Sequence, residues 1–334
     1  MVFLLYLPIS TLVRFCPKLA AYHMERFCES YEKKSHAKLR LHKVAGHSTE
    51  ILELHAERPS FHILFIPGNP GIVTFYRDYL EVLYELFDKK ASVTAIGHVA
   101  HTSKDWEDGK LFSLQEQISH KVQFLKEELL RHETRIILVG HSIGAYISLD
   151  IFKAFPQKVS YMIGMYPFLT LNRDSNFQAF LTKAAKLPIL CAGLSSLAGL
   201  VGLFPSRFNR GLIKRLVGRT WSSDAVHVAS TYLLRYSMVR NYTYMGMTEF
   251  EKLQEIPDWT FIRGKENQIA FLFGSDDHWG PLSLFEEVSQ KAPGISLAIE
   301  KEGHTHAFCC TQAGSTWVAE HTVDLIKQHL KGEH

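Results

Sequence analysis

The sequence predicts an α/β protein: a mostly parallel sheet with helices on both faces and a helical cap inserted late in the chain. Three observations predict it. Short apolar runs, several rich in β-branched residues, recur at residues 61–66, 93–96, 136–139, 159–165, 268–273 and 295–299. Helical spacing of apolar residues fills the gaps at 72–87, 114–130, 142–155, 282–289 and 316–330. Strands alternating with helices imply parallel crossovers, and strands apolar throughout imply burial on both faces. The third observation is where the alternation stops: residues 167–264 carry no clear strand pattern.

Composition permits such a fold. A chain of 334 residues with 46% hydrophobic residues can bury a full core. A net charge of +3, with scattered lysines and arginines, does not suit a nucleic-acid partner. The five cysteines (Cys16, Cys28, Cys191, Cys309 and Cys310) show no C-x-x-C spacing, so neither a disulfide framework nor a zinc site is expected. The first thirteen residues are nearly all apolar. They are too few to span a bilayer, which needs about twenty, and suit an interfacial anchor or a helix laid on the domain.

Taken in order, residues 38–55 hold two alternating runs around Gly46-His47-Ser48, which reads as a hairpin. The strand at 61–66 runs into Pro67-Gly68-Asn69-Pro70-Gly71, a rigid turn. A helix, a strand at 93–96 and an amphipathic helix at 114–130 follow, with Ile118, Val122, Leu125 and Leu129 on one face. The expected organisation is an N-terminal segment at 1–36, a core at 37–166 and 265–334, and the cap at 167–264.

The chemistry centres on Gly140-His141-Ser142-Ile143-Gly144. This is G-x-S-x-G between a strand and a helix, the context in which the serine becomes a nucleophile. A sharp turn strains the serine backbone and exposes Oγ, and glycines on either side make room for it. Serine needs a base, and the base needs a carboxylate to fix its tautomer. In the α/β-hydrolase order of Ser, then acid, then His, two pairs downstream qualify. Asp276 and Asp277 follow the strand ending at Phe273, and His304 and His306 follow the last strand. Both pairs stand past the C-terminal ends of strands, where sites form in open parallel sheets. Asp174, in the loop after the strand at 159–165, is a third position for the acid. The oxyanion hole is expected from the N–H groups of Ile143 and Asn69, since Pro70 has no N–H to give.

Phe65-Ile66-Pro67-Gly68-Asn69-Pro70-Gly71 with Phe75-Tyr76, the Gly140–Tyr146 elbow, Gly274-Ser275-Asp276-Asp277-His278-Trp279 and His306-Ala307-Phe308 resemble the lipid-droplet-associated serine hydrolases, of the α/β-hydrolase superfamily. The resemblance runs from about residue 45 to the C-terminus. It implies Ser142 as nucleophile, Asp277 as acid and His306 as base. Gly303-His304, though, looks like the pair that holds the base in many other α/β-hydrolases, so His304 stays open, as does Asp276. The resemblance further implies a lipase or esterase acting on neutral-lipid or sterol esters, without metal or organic cofactor. It places the protein at the lipid-droplet surface, with cytoplasmic and endoplasmic reticulum pools, and it also allows a largely structural droplet role. A soluble esterase for small acyl substrates is the third reading. Residues 188–205 then gain a meaning. This apolar stretch, followed by Arg207, Arg210, Lys214, Arg215 and Arg219, is expected either as a buried pair of cap helices or as a hairpin dipping into one lipid leaflet.

Overall fold

The computed structural model describes residues 36–129, 134–172, 174–217 and 220–332. The apolar N-terminal stretch and Arg219 therefore lie outside the described residues. Eight strands form one sheet: β1 (Lys38–Val44), β2 (His47–Leu54), β3 (Phe61–Ile66), β4 (Ala91–Ile96), β5 (Ile136–His141), β6 (Val159–Met165), β7 (Ile269–Gly274) and β8 (Ser296–Glu300). Their spatial order is β1-β2-β4-β3-β5-β6-β7-β8. β2 pairs antiparallel with both β1 and β4, and every other pairing is parallel.

Strand periodicity divides the core in two. Ile63, Phe65, Ile137, Val139, Ile163, Met165, Ala270 and Leu272 point to one face. There α1 (Arg77–Leu86) packs beside the long C-terminal helix. Leu64, Ile66, Ile136, Leu138, Met162, Phe271 and Phe273 point to the other. This second layer is covered by α2 (Leu114–Phe124) and α3 (Ile143–Ala154). β5 lies between β3 and β6 with all six residues buried, which explains its unbroken apolar run. A reciprocal capping box starts α2: Ser113 Oγ accepts from the Glu116 N–H at 3.3 Å, and Glu116 accepts from the Ser113 N–H at 2.7 Å.

Two predicted helices differ in detail. The span expected at 72–87 opens with a 3₁₀ turn, Val73–Tyr76, before α1 begins. The span expected from Leu114 changes at Phe124 into a π-helical turn, Leu125–Leu129, which keeps both leucines buried.

Between β6 and β7 the chain is helical: α4 (Asn176–Ala185), α5 (Pro188–Gly202), α6 (Ser206–Val217), α7 (Ser223–Tyr232), α8 (Tyr236–Lys252) and α9 (Trp259–Gly264). Helix α5 lies against α8. Small residues allow the approach: a Cβ at Gly199 would sit 3.2 Å from Tyr236 Cβ, and one at Gly202 would collide with the Leu234 carbonyl oxygen. Ser195 is the one fully buried residue of α5. Ile189 is 89% exposed and Leu203 82%, with Leu197, Leu200, Phe204 and Phe208 exposed beside them. Among the described residues the outer face of α5 has no protein covering it, so within them it does not form the buried helix pair. No single described helix is long and apolar enough to cross a membrane, although α4 and α5, bent by 88°, are together.

Candidate active site

The elbow is built by close approach. Ser142 holds φ 57° and ψ −125°, a conformation that side chains rarely adopt. It is kept there from both sides. The Ser142 N–H donates to the Met165 carbonyl at 3.0 Å, and its carbonyl accepts from the Phe168 N–H at 3.2 Å. A Cβ on Gly144 would collide with the Ile66 carbonyl oxygen, and one on Gly140 with that of Gly144. Both glycines are therefore required by space.

The structure brings Asp277 and His306 together. After β7, Asp277 turns inward, its Oδ1 accepting the Trp279 N–H at 2.9 Å. After β8, His306 Nδ1 lies 3.0 Å from Asp277 Oδ1 and 2.9 Å from Oδ2. Both side chains are buried, Asp277 at 1% exposure. A carboxylate on Nδ1 holds the proton there and leaves Nε2 as the basic nitrogen. His306 and Ser142 line one small cavity with Gly68 and Asn69.

The other candidates stand apart. Asp276 is exposed. The Asp174 N–H donates to Asn172 Oδ1 in an exposed turn. His304 faces Trp317 at 5.9 Å between rings, while its carbonyl accepts from Tyr166 Oη at 3.4 Å.

Ile143 opens α3 at its N-terminus, and Asn69 sits in the turn after β3. Both N–H groups belong to segments that border Ser142: Asn69 lines the same cavity, and Ile143 follows the serine directly. The positive end of the helix adds to any stabilisation of negative charge there.

A second layer escaped the sequence reading. His141, the residue between Gly140 and the serine, is buried, and burial together with the neighbouring His306 ring holds its imidazole well below the ordinary range. It is therefore neutral. His141 Nε2 lies 2.9 Å from the His306 carbonyl oxygen, which assigns the proton to that nitrogen. Nδ1 then accepts from Tyr76 Oη at 2.7 Å, and that oxygen accepts from the Gly68 N–H at 3.1 Å. One chain of hydrogen bonds thus ties the turn after β3, the elbow and the His306 loop together. A histidine ending an apolar strand was the only local signal of it.

Ser142 also opens onto a larger chamber with about 790 Å³ of unfilled space, its mouth included. Phe168, Leu181, Trp279 and Phe250 make it apolar, and Leu190, Cys191 and Leu194 bring α5 to its wall. Glu249 of α8 lies in this wall, and burial pushes its carboxyl up to about 8.

Residues 59–309 match the family model for lipid-droplet associated hydrolases. A lipid droplet-associated hydrolase of Dictyostelium discoideum is 30% identical over 272 residues, covering 78% of this chain and 86% of that one. The Homo sapiens lipid droplet-associated hydrolase is 26% identical, covering 83% and 86%. Among solved structures, a carboxylesterase of the thaumarchaeon Nitrososphaera gargenis superposes with a TM-score of 0.63 at 16% identity, over 88% of this chain and 100% of that one. The thioesterase domain from the curacin biosynthetic pathway gives 0.63 at 12% identity, over 86% and 99%. These likenesses establish the α/β-hydrolase fold, and the chain belongs to the lipid-droplet associated hydrolase family.

Proposed function

We propose that the protein hydrolyses a carboxylic ester of a neutral lipid or sterol through an acyl-enzyme on Ser142, working at a lipid-droplet surface. His306 Nε2 takes the Ser142 proton as Oγ forms its bond to the ester carbonyl carbon. The oxyanion settles on the Ile143 and Asn69 N–H groups. As the tetrahedral intermediate collapses, the carbon–oxygen bond to the alcohol breaks and His306 returns the proton to that alcohol. Water then attacks the acyl-enzyme by the same route, releasing the acid and restoring Ser142. Asp277 orients His306 and stabilises the imidazolium in both halves.

The observation that carries this reading is the Asp277–His306 pair sharing a cavity with a strained Ser142. The apolar chamber supports a lipid substrate, and the exposed outer face of α5, with basic residues after it, supports a lipid surface. Cytoplasmic and endoplasmic reticulum pools would hold protein not docked on droplets. Labelling with a fluorophosphonate probe tests the chemistry. The native protein should label, and Ser142→Ala and His306→Ala should not. Labelling that survives in His306→Ala moves the base to His304. No labelling, even with droplets present, favours the rival: a hydrolase fold that holds the droplet surface through α5 without turnover.

A further inference from the structure

The turn after β3, Pro67 to Gly71, has one N–H left over. The Gly68 N–H donates to Tyr76 Oη at 3.1 Å and the Gly71 N–H to His101 Nδ1 at 2.9 Å. Pro67 and Pro70 have none to give. The Asn69 N–H, in the smaller cavity that Ser142 also lines, bonds to no carbonyl among the described residues. It is free to meet an oxyanion, so whatever fixes Asn69 bears on the reaction.

The cap fixes it. Asn69 Nδ2 donates to the Tyr242 carbonyl of α8 at 2.9 Å, which sets the direction of the amide and leaves Oδ1 as a buried acceptor. About two turns further along α8 stands Glu249, and the Asn69 and Glu249 side chains are hydrogen-bonded to each other. Because Oδ1 can only accept, that bond needs the carboxylic acid form of Glu249, whose O–H donates. Burial supplies this form: Glu249 is 5% exposed, and its carboxyl is pushed up to about 8. The other titratable groups in the chamber wall are the Cys191 thiol of α5 and the Tyr242 phenol of α8, both pushed up by burial and so uncharged near pH 8. From α4 only Leu181, Ala184 and Ala185 reach that wall. Behind the turn, burial holds the His101 imidazole down at about 3, so it is neutral as well. His306 lies in the smaller cavity with Ser142.

We propose that Glu249 is a positioning residue for the oxyanion hole: its acid O–H, bonded to Asn69 Oδ1, holds the turn so that the Asn69 N–H faces the oxyanion formed at Ser142. Ionisation leaves two acceptors facing each other, so the bond is lost and the donor is no longer held. The inference rests on Ser142 being the nucleophile and the Asn69 N–H an oxyanion donor.

The test follows labelling of the full chain by the fluorophosphonate probe, whose phosphoryl oxygen takes the place of the ester carbonyl oxygen. The rate constant at saturating probe reads the oxyanion hole, and the half-saturating concentration reads probe binding. In the native protein the rate constant should be about tenfold lower at pH 9 than at pH 7, since a group titrating at about 8 is only about one-tenth protonated there. Probe binding should stay within about twofold, and return to pH 7 should restore the rate. Glu249→Gln, whose amide can still donate to Oδ1, should hold its rate within about twofold across the range. Asn69→Ala keeps the N–H but loses the tether, so it should be slower at pH 7 by about tenfold or more and flat with pH. Tryptophan fluorescence checks the fold at each pH. A native rate that does not fall while the fold persists overturns the proposal, as does a fall that remains in Glu249→Gln or in Asn69→Ala. If the native fold is lost before pH 9, the pH 7 rates decide: Glu249→Leu should be about as slow as Asn69→Ala, and a native rate in it overturns the positioning role. Absence of labelling in the native protein at every pH overturns the nucleophile reading itself, and this inference with it.

Discussion

Replacing Ile189, Leu203 and Phe204 together by serine should strip the protein from a lipid surface while leaving Ser142 reactive. The three side chains are 89%, 82% and 54% exposed, so the fold does not depend on burying them. Full burial of an Ile, Leu or Phe side chain is worth about 1.5–3 kcal/mol. Weighted by exposure, the three contribute about 3–7 kcal/mol on entering the acyl boundary, about two to five decades in partition coefficient. Arg207, Arg210, Lys214 and Arg215, all exposed on α6, add about 1 kcal/mol each where the phospholipid is anionic, and salt screens that share. The assay is flotation with triolein droplets coated in phospholipid, with and without an anionic lipid, at low and high salt. Native protein should float in every condition, more completely at low salt with anionic lipid. The triple variant should stay in the subnatant while labelling at the native rate. A triple variant that floats like the native protein refutes α5 as the docking surface.

Three further outcomes follow from the site and its supports. Asp277→Asn should lower ester hydrolysis by about 10³–10⁴-fold through loss of the tautomer that leaves Nε2 basic, whereas Asp276→Asn should leave the rate within about twofold, since Asp276 lies exposed outside the pair. Gly144→Ala should destabilise the fold by about 3 kcal/mol or more in urea denaturation, because its Cβ collides with the Ile66 carbonyl. Gly193→Ala, on the exposed side of α5 with open space around it, should be neutral or stabilise by up to about 1 kcal/mol. Glu249→Gln should change how stability depends on pH. The Glu249 carboxyl is raised from 4.5 to about 8 in the fold, so the unfolded chain releases this proton first and native stability falls as pH climbs between those values. By pH 8 the loss is on the order of 5 kcal/mol at most. Glutamine, with no proton to lose, should therefore be more stable than the native protein at pH 8 and show little difference at pH 4.5, and an equal difference at both values would refute a buried carboxylic acid.

What was legible in the sequence was what is decided locally. The elbow needs a strand, two glycines and a serine within ten residues, and each of those requirements is visible in 136–145. The alternation of strands and helices is likewise a short-range pattern. The family resemblance singled out Asp277 and His306, but the residues alone left the candidate partners of Ser142 open within two pairs, because position past a strand end does not say which residue turns inward. For Asp277 that is decided by the Trp279 N–H bonding its carboxylate, and for His306 by His141 holding its carbonyl. The first bond spans two residues and the second 165. Glu249 was not legible at all. Within a helix reading Gly246-Met247-Thr248-Glu249-Phe250, a glutamate looks like part of a solvated face, and only tertiary packing puts it against the Asn69 turn.

Helix α5 was ambiguous for a different reason, and the ambiguity is informative. A helix that covers a core normally shows one apolar stripe and one polar face. Residues 188–202 are apolar all round. In the fold, Leu190, Cys191 and Leu194 line the chamber beside Ser142, glycines meet α8, and Ile189, Leu197 and Leu200 face outward. No part of its circumference is given to charge, since the inner face borders an apolar chamber and the outer face borders, on the reading proposed above, lipid. On that reading, a helix that is both the wall of the chamber beside Ser142 and the floor against lipid would place substrate entry where substrate is stored. Gly199 and Gly202 follow from the same demand: they let the helix lie close enough to the start of α8 for both faces to be used by one element rather than two.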